Sequence, residues 1–250
     1  MARMAVGRST HLTKEEVARE ALALFDATDS TFSMRALAAR LSVSPGALYN
    51  YFECQSELIQ AAVSLVWEES ITDFLALVPD PVSDPGDPVE FLIGAAVCGR
   101  RAFSRHYRIA PYIVLPPPQG DSRLAGSLAI FGSLLESAGL EGELVGQAFF
   151  AYTTYTFGSI LHRSHRRLAS ERLGVEPDVP SFSSADARPD DAPPASPATL
   201  RGVDRVIALP YGDEEAEEEL FAVGLRRLLD GFGVHSRVSE WAGTGRAVAH

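Results

Sequence analysis

The sequence is poor in cysteine and has no long hydrophobic run. Its 250 residues contain two cysteines, Cys54 and Cys98, which are too few for a disulfide framework or a zinc site. No apolar stretch approaches the roughly 18 residues that a membrane-spanning helix needs, and no secretory hydrophobic segment is present. We therefore expect a cytoplasmic protein with no membrane partner.

Signals of catalysis and of cofactor binding are also lacking. The sequence has no serine on a nucleophile elbow with histidine and aspartate partners, and no glycine-rich phosphate-binding loop. The carboxylates cluster on faces predicted to be exposed, and His106, His162 and His165 are scattered over predicted helices. We expect neither an enzyme nor a bound metal or other cofactor.

Positive charge is scarce as well. The formal net charge is −11, and residues 1–60 hold six Lys and Arg against seven Asp and Glu. This balance excludes a non-specific, charge-driven binder of nucleic acid. The acidic run 213–219 begins a predicted helix, where the helix dipole favours negative charge. Among the few cations, Arg35 is placed at the start of a predicted second helix, where it could meet a phosphate.

The segment 41–52 is the most informative part of the chain. A helix predicted over 34–41 stops at a polar turn, and Ser44 followed by proline signals that a new helix begins at residue 45. Leu48 and Phe52 fall on a buried stripe, which leaves the side chains 49–51 exposed. Two short helices joined in this way predict a helix-turn-helix that can enter a DNA major groove. The alternative is a small helical hairpin with half-buried tyrosines.

Hydrophobic periodicity predicts helices elsewhere, with no competing strand pattern. A first helix over 12–27 has an apolar face that can support the two short helices. A flexible arm (1–11), a disordered loop rich in proline and serine (177–198) and a tail (234–250) are predicted between and beyond the helices. The remaining helices are predicted over 56–78, 88–106, 121–138, 141–173, 199–209 and 213–231.

Two distant parts of the sequence resemble one known family. Ala38-Ala-Arg-Leu-Ser-Val-Ser44, followed by Leu48-Tyr-x-Tyr-Phe52, is similar to the N-terminal domain of the tetracycline-repressor (TetR) family of bacterial regulators. Leu220–Phe232 is similar to the last helix of that family's tetracycline-repressor branch, and Arg100–Ala102 and Tyr155–Gly158 fall in related segments. The resemblance covers roughly residues 13–232. It implies an all-α fold, with an N-terminal three-helix DNA-binding domain (12–55) and a C-terminal domain for ligand binding and dimerisation (56–233).

The resemblance also implies which residues contact DNA. Asn50 has the clearest base-reading group, since its amide can pair with adenine through two hydrogen bonds. Two departures weaken the match: Ser42 stands where the family usually has a glycine in a left-handed turn, and Gln55 stands where it usually has a phosphate-binding lysine. The serine is expected to cost up to ~1 kcal/mol. The implied contacts are Ser33, Arg35, Ser44, Pro45, Gly46, Ala47, Tyr49, Asn50, Tyr51 and Gln55.

The residues aligned with the family's ligand site are mostly apolar. Such a lining cannot satisfy a chelated metal or a heavily hydroxylated drug, so we expect a rather apolar or aromatic small molecule, such as an antibiotic or metabolite. The aromatic side chains over 149–157 could line a cavity or fill the core. The implied ligand residues are Ile71, Phe74, Ala95, Gly99, Ile113, Phe131, Phe150, Thr154 and Phe157.

The last predicted helix carries a wide apolar stripe formed by Gly224, Leu225, Leu228, Leu229 and Phe232. Packed with the long helix before it and with the same pair from a second chain, this stripe would give a four-helix dimer interface; burial within one chain is the alternative. Together these features predict a homodimeric regulator, most simply a repressor that a small-molecule inducer releases from a palindromic double-stranded operator. A helical ligand-binding or adaptor protein without operator binding is the alternative function.

Overall fold

A computed structural model describes residues 12–27, 32–78, 86–114, 122–174, 196–208 and 214–235. Within these ranges the chain is all-α, as predicted. The predicted arm 1–11 and most of the predicted loop and tail lie outside the described residues. The elements are α1 Lys14–Ala27, α2 Met34–Arg40, α3 Pro45–Leu48, α4 Gln55–Leu75, α5 Pro88–Arg105, a 3-10 helix Ala110–Val114, α6 Ser122–Ser137, α7 Glu143–Leu173, α8 Pro197–Ala208 and α9 Glu214–Gly231.

Side-chain caps fix where several of these helices begin. The Ser33 hydroxyl accepts a hydrogen bond from the Ala36 amide at 3.2 Å at the start of α2. Asp87 accepts bonds from the amides of residues 89 and 90, at 2.9 and 3.1 Å, at the start of α5. Each of these side chains satisfies amides that the helix itself leaves unpaired. Ser33 and Asp87 therefore fix the starts of α2 and α5.

Two hydrophobic clusters hold the helices together. The N-terminal cluster joins the buried faces of α1 to α4, and Phe103, Ile109, Ile113 and Ile160 extend it into the rest of the chain. The C-terminal cluster joins the first half of α5 with α6, the first half of α7 and α9. The N-terminal module (residues 12–55), predicted to bind DNA, therefore joins the rest of the chain mainly through α4.

The structure departs from the sequence prediction in four places. Helix α3 ends at Leu48 rather than continuing to residue 52. Pro197 begins α8, so the end of the predicted disordered loop is helical. Val234, predicted to start a loose tail, is fully buried in the C-terminal cluster. Leu225 and Leu229, predicted to face a second chain, are also fully buried, because α9 packs against α5 and α7 of its own chain.

Candidate DNA-binding surface and ligand site

The turn between α2 and α3 is closed by backbone hydrogen bonds. The amides of Val43 and Ser42 donate to the carbonyls of Ala38 and Ala39, at 2.9 and 3.1 Å. This is the Schellman arrangement, which needs a left-handed residue just after the helix. Ser42 has φ +56° and is the one non-glycine residue with positive φ among those described. The left-handed conformation expected at this position is confirmed.

The segment after the turn presents polar side chains from a fixed backbone. Ser44 caps α3 through a 3.3 Å bond from the Ala47 amide. Beyond Leu48 the chain continues as tight turns, in which each amide of residues 49–51 donates to the carbonyl three residues back. Leu48 and Phe52 are buried and anchor both ends, whereas Tyr49 is 55% exposed and Asn50 is exposed.

Most of the residues implied to contact DNA are available on the surface. Ala47 and Tyr51 are half-buried, and Tyr51 packs against the N-terminal cluster, so its ring contributes to the anchor as well as to the surface. Their role in DNA contact stays a prediction. The exposed members of the set are Ser33, Arg35, Ser44, Pro45, Gly46, Tyr49, Asn50 and Gln55.

Arg35 differs from the other cations of this module. Lys14, Arg19 and Arg40 each form an ion pair with a glutamate, at 3.2, 2.5 and 2.6 Å. Among the described residues of this module, Arg35 is the cation that forms no ion pair. Its charge is therefore the one most available to a phosphate.

A histidine connects the DNA-binding module to the rest of the chain. His106, just after α5, lies with Nδ1 2.8 Å from an Asp26 carboxylate oxygen and with Nε2 2.9 Å from a Glu69 oxygen. A neutral imidazole has one N–H, so donating to both carboxylates requires the protonated ring. The hydrogen bond to Asp26, together with the Glu69 carboxylate, raises the pKa of His106 above its ordinary value. Arg105 binds Glu69 and Asp73 beside it.

A small cavity, which the sequence did not lead us to expect, lies between α5 and α7. Its wall includes three arginines, and Arg100 is only 3% exposed. Burial lowers the pKa of the Arg100 guanidinium, and the Glu217 carboxylate offsets part of this decrease. The adjacent arginines at 100–101 were the one sequence feature that could have indicated this cavity. The lining residues are Arg100, Phe103, Ser104, Tyr107, Ile160, Arg163, Ser164 and Arg167.

The nine predicted ligand residues do not line this cavity, and they do not gather in one place. Ile113 is buried in the N-terminal cluster, whereas Phe131 is buried in the C-terminal cluster against Phe149 and Tyr152. Phe150 is 70% exposed. The others vary in burial: Phe74 and Gly99 are buried, Ala95 and Phe157 half-buried, and Ile71 and Thr154 exposed.

Two of these positions, Gly99 and Phe157, meet around Trp67, together with Phe103. The Trp67 ring lies 5.7 Å from the Phe157 ring and 4.9 Å from the Phe103 ring, and a Cβ on Gly99 would lie 3.2 Å from it. On α5, Gly94 makes room in the same way for Phe74 of α4. These aromatic side chains fill the space between α4, α5 and α7 in the single chain. Ligand binding at the predicted positions stays a prediction.

Helices α7 and α9 pack side by side, and each leaves large apolar side chains exposed. These are Leu144 and Phe150 on α7, and Leu220 and Val223 on α9.

Among the described residues, no helix is long and apolar enough to cross a membrane. In the same ranges, no group of three His, Cys, Asp or Glu side chains is placed to hold a metal ion.

Comparison with known protein families and with curated proteins gives no match to the sequence. Solved structures do match in fold. The Streptomyces coelicolor TetR family protein ActR, in complex with (S)-DNPA, has a TM-score of 0.62 at 22% identity, over 89% of this chain and 98% of that one.

Two further solved structures of similar fold also match this chain. A variant of TetR from Acinetobacter baumannii, in complex with minocycline, has a TM-score of 0.60 at 21% identity, over 89% of this chain and 97% of that one. Mycobacterium smegmatis BioQ has a TM-score of 0.60 at 21% identity, over 90% of this chain and 99% of that one. The chain therefore has the all-α fold of TetR-family regulators along most of its length.

Proposed function

On this fold, we propose that the chain is a ligand-responsive, DNA-binding transcriptional regulator of the TetR family, rather than an enzyme. It acts in the cytoplasm as a homodimer on a palindromic operator, as a repressor that a small molecule releases. The observation that carries the proposal is the exposed pair Tyr49 and Asn50, held on a turn whose ends are anchored by buried Leu48 and Phe52. An adaptor protein would have no use for such a rigid polar projection.

Dimerisation follows from the weak charge of the DNA-binding module. One module with few free cations gains little non-specific affinity, whereas two modules at fixed spacing roughly add their binding free energies and read two half-sites. The exposed apolar side chains of α7 and α9 supply a surface for the second chain. Phe150, predicted from the sequence to be a ligand residue, is in this proposal a contact between chains.

Release by a ligand needs a path from the C-terminal domain to DNA. Helix α4 provides it, since Phe74 near its end packs on α5 and Leu58 near its start is buried in the N-terminal cluster. A ligand that binds better to a conformer with mis-spaced modules shifts the population away from DNA. Small organic molecules are present in two of the similar structures, ActR and the TetR variant, which supports a ligand here as well.

A mobility-shift titration on the DNA that flanks the gene for this chain tests the proposal. We expect a sequence-specific complex that persists when competitor DNA is added. Failure to shift any flanking fragment, with a folded protein, would instead favour a helical ligand-binding or adaptor protein.

Variants of the DNA-binding surface sharpen this test. Asn50→Ala is expected to weaken the specific complex by about 1–3 kcal/mol and to relax one base position. Arg35→Ala is expected to weaken specific and random DNA alike and to reduce the salt dependence. Arg19→Ala is the matched control, because Arg19 is already paired with Glu15. Equal losses on both DNAs for Asn50→Ala would place that amide on a phosphate.

A further inference from the structure

The cavity between α5 and α7 has an unusual wall. Three of its eight lining side chains are guanidinium groups, those of Arg100, Arg163 and Arg167, and none is a carboxylate. The other polar groups in the wall belong to Ser104, Ser164 and Tyr107. Three positive charges around a partly enclosed space favour an anion there, although Arg167 itself is exposed.

Two of the arginines are also held by carboxylates that do not line the cavity. Glu217 lies on α9, where Arg163 Nη1 donates to it at 2.9 Å and Arg100 Nη2 lies 3.0 Å from it. Arg163 also pairs with the exposed Glu214. These carboxylates reduce the positive potential from outside the wall, whereas the wall itself contains no acidic group.

Arg100 has a donor left over. Its side chain is 3% exposed and stacks on the Phe221 ring at 4.6 Å, yet its Nε–H has no hydrogen-bond partner among the described residues. A buried donor of a charged group is almost always satisfied by protein, water or a ligand. The cavity that Arg100 lines offers space in which an acceptor could meet this donor.

The remaining wall is held in position before anything binds. The Arg167 guanidinium lies 4.1 Å from the centre of the Tyr107 ring and donates to the Ser104 carbonyl at 3.3 Å. The Ser164 hydroxyl donates to the Tyr107 carbonyl at 2.6 Å and ties α7 to the end of α5. Because these side chains are already ordered, binding costs little further side-chain entropy.

The size of the cavity limits what it can hold. Its volume is about 10 Å³, close to the minimum for one water-sized group. We propose that it binds a halide ion through Arg100, Arg163 and Arg167. Phe103 and Ile160 also line it and belong to the N-terminal cluster. A bound anion therefore stabilises the α5–α7 junction, where the N-terminal cluster meets both helices.

Anion titration of the full-length chain, without DNA, tests this proposal separately from the proposed function. The melting temperature is measured while sodium bromide replaces sodium gluconate, whose anion is too large to enter, at constant sodium concentration. A saturable rise is expected and supports a halide site.

Variants test whether the anion-dependent rise in melting temperature arises in the cavity. Arg167→Gln should raise the half-saturating anion concentration about tenfold or more, since it removes a charged donor, and Arg167→Lys should recover part of the affinity. Arg101→Gln is the control, because Arg101 is on the same helix as Arg100 but pairs with Glu218 outside the wall. In crystals grown with bromide, an anomalous peak is expected beside Arg100. A linear, unsaturable response, an unchanged Arg167→Gln titration or an absent bromide peak would overturn the proposal and leave a cavity that holds water.

Discussion

Ser42 has a Cβ atom in a backbone conformation where that atom crowds the following carbonyl. Its φ of +56° is fixed by the two hydrogen bonds that end α2, so the residue cannot relax without opening the turn. The position was identifiable from sequence because the conformation depends only on neighbouring residues. Its side chain is exposed and has no packing role that would oppose replacement.

Ser42→Gly is therefore expected to raise the free energy of unfolding by up to ~1 kcal/mol, since glycine adopts this conformation without the steric cost. Urea denaturation at equilibrium measures the change. Ser44→Ala is the companion variant, in which loss of the α3 cap should lower stability by about 1 kcal/mol. A less stable Ser42→Gly protein would show that the serine hydroxyl supports the turn.

Gly224 illustrates a residue whose importance the sequence did not show. It was predicted to be part of a dimer face, but a Cβ at this position would lie 2.0 Å from the Tyr155 hydroxyl. That hydroxyl donates to the Phe221 carbonyl at 3.3 Å, and the two rings stack. Tyr155 and Phe221 are 66 residues apart in the chain, so no local pattern could reveal this close approach.

Gly224→Ala is accordingly expected to lower the free energy of unfolding by about 1–3 kcal/mol, as overpacking does. Gly132→Ala is the matched control, because a Cβ there meets nothing within 4 Å and the same change within a helix should stabilise by about 0.5–1 kcal/mol. Thermal denaturation of both variants gives the comparison. The interpretation fails if Gly224→Ala is as stable as the control.

At the scale of elements, His106 links three helices through two carboxylates. Asp26 is in the last turn of α1 and Glu69 is on α4, while Arg105 and Asp73 are the other charged groups at this junction. The pKa of His106 is raised in the folded chain. Its contribution to stability is thus fully present below the ordinary histidine value of 6.5 and is lost as the pH rises through the raised value.

Wild-type protein is expected to lose on the order of 1 kcal/mol of stability across this window, because deprotonation removes one of two charge-assisted hydrogen bonds. His106→Gln should make the stability curve flatter above about pH 6.5, because the raised pKa places the loss of the proton above that value. Urea denaturation over that range is the measurement, and Asp26→Asn should flatten the curve in part. Identical pH dependence in wild type and His106→Gln would rule out the linkage.

Element boundaries were largely predictable, whereas the partners of the elements were not. Ser33, Ser44 and Asp87 cap helices through bonds that span two or three residues, which is why their sequence signals were reliable. The shortness of α3 was missed because Leu48 and Phe52 are buried under either helical or tight-turn geometry. The charged wall at Arg100 was missed because its α9 partner, Glu217, lies more than a hundred residues away.

At the scale of the whole molecule, the sequence likewise could not show which residues contact a second chain. Periodicity indicated an apolar face on α9 correctly, but it could not decide whether Leu225 and Leu229 pack within one chain or between two. In the folded chain they are buried, and exposed apolar groups remain on α7 and α9. These residual groups are where the proposed homodimer can be tested.

Phe150→Glu is expected to shift the chain from dimer to monomer, because a two-fold interface would contain the new charge twice and desolvate both copies. Removal of a central aromatic contact is expected to weaken the free energy of association by about 2 kcal/mol or more. Sedimentation velocity at micromolar concentration measures it. Leu77→Glu, at a similarly exposed residue beyond α4, is the control, and a monomeric wild-type protein would contradict the regulator mechanism itself.

The pairing of α9 with α5 also has a consequence for how the chain is made. The Arg101–Glu218 contact spans 117 residues, and at usual elongation rates the ribosome needs roughly 6 to 23 seconds to cover that distance. The N-terminal cluster draws most of its side chains from the first 113 residues and can collapse during this interval. The side of α5 that packs on α9 stays uncovered until α9 emerges, so this exposed nascent surface is where chaperones would be needed.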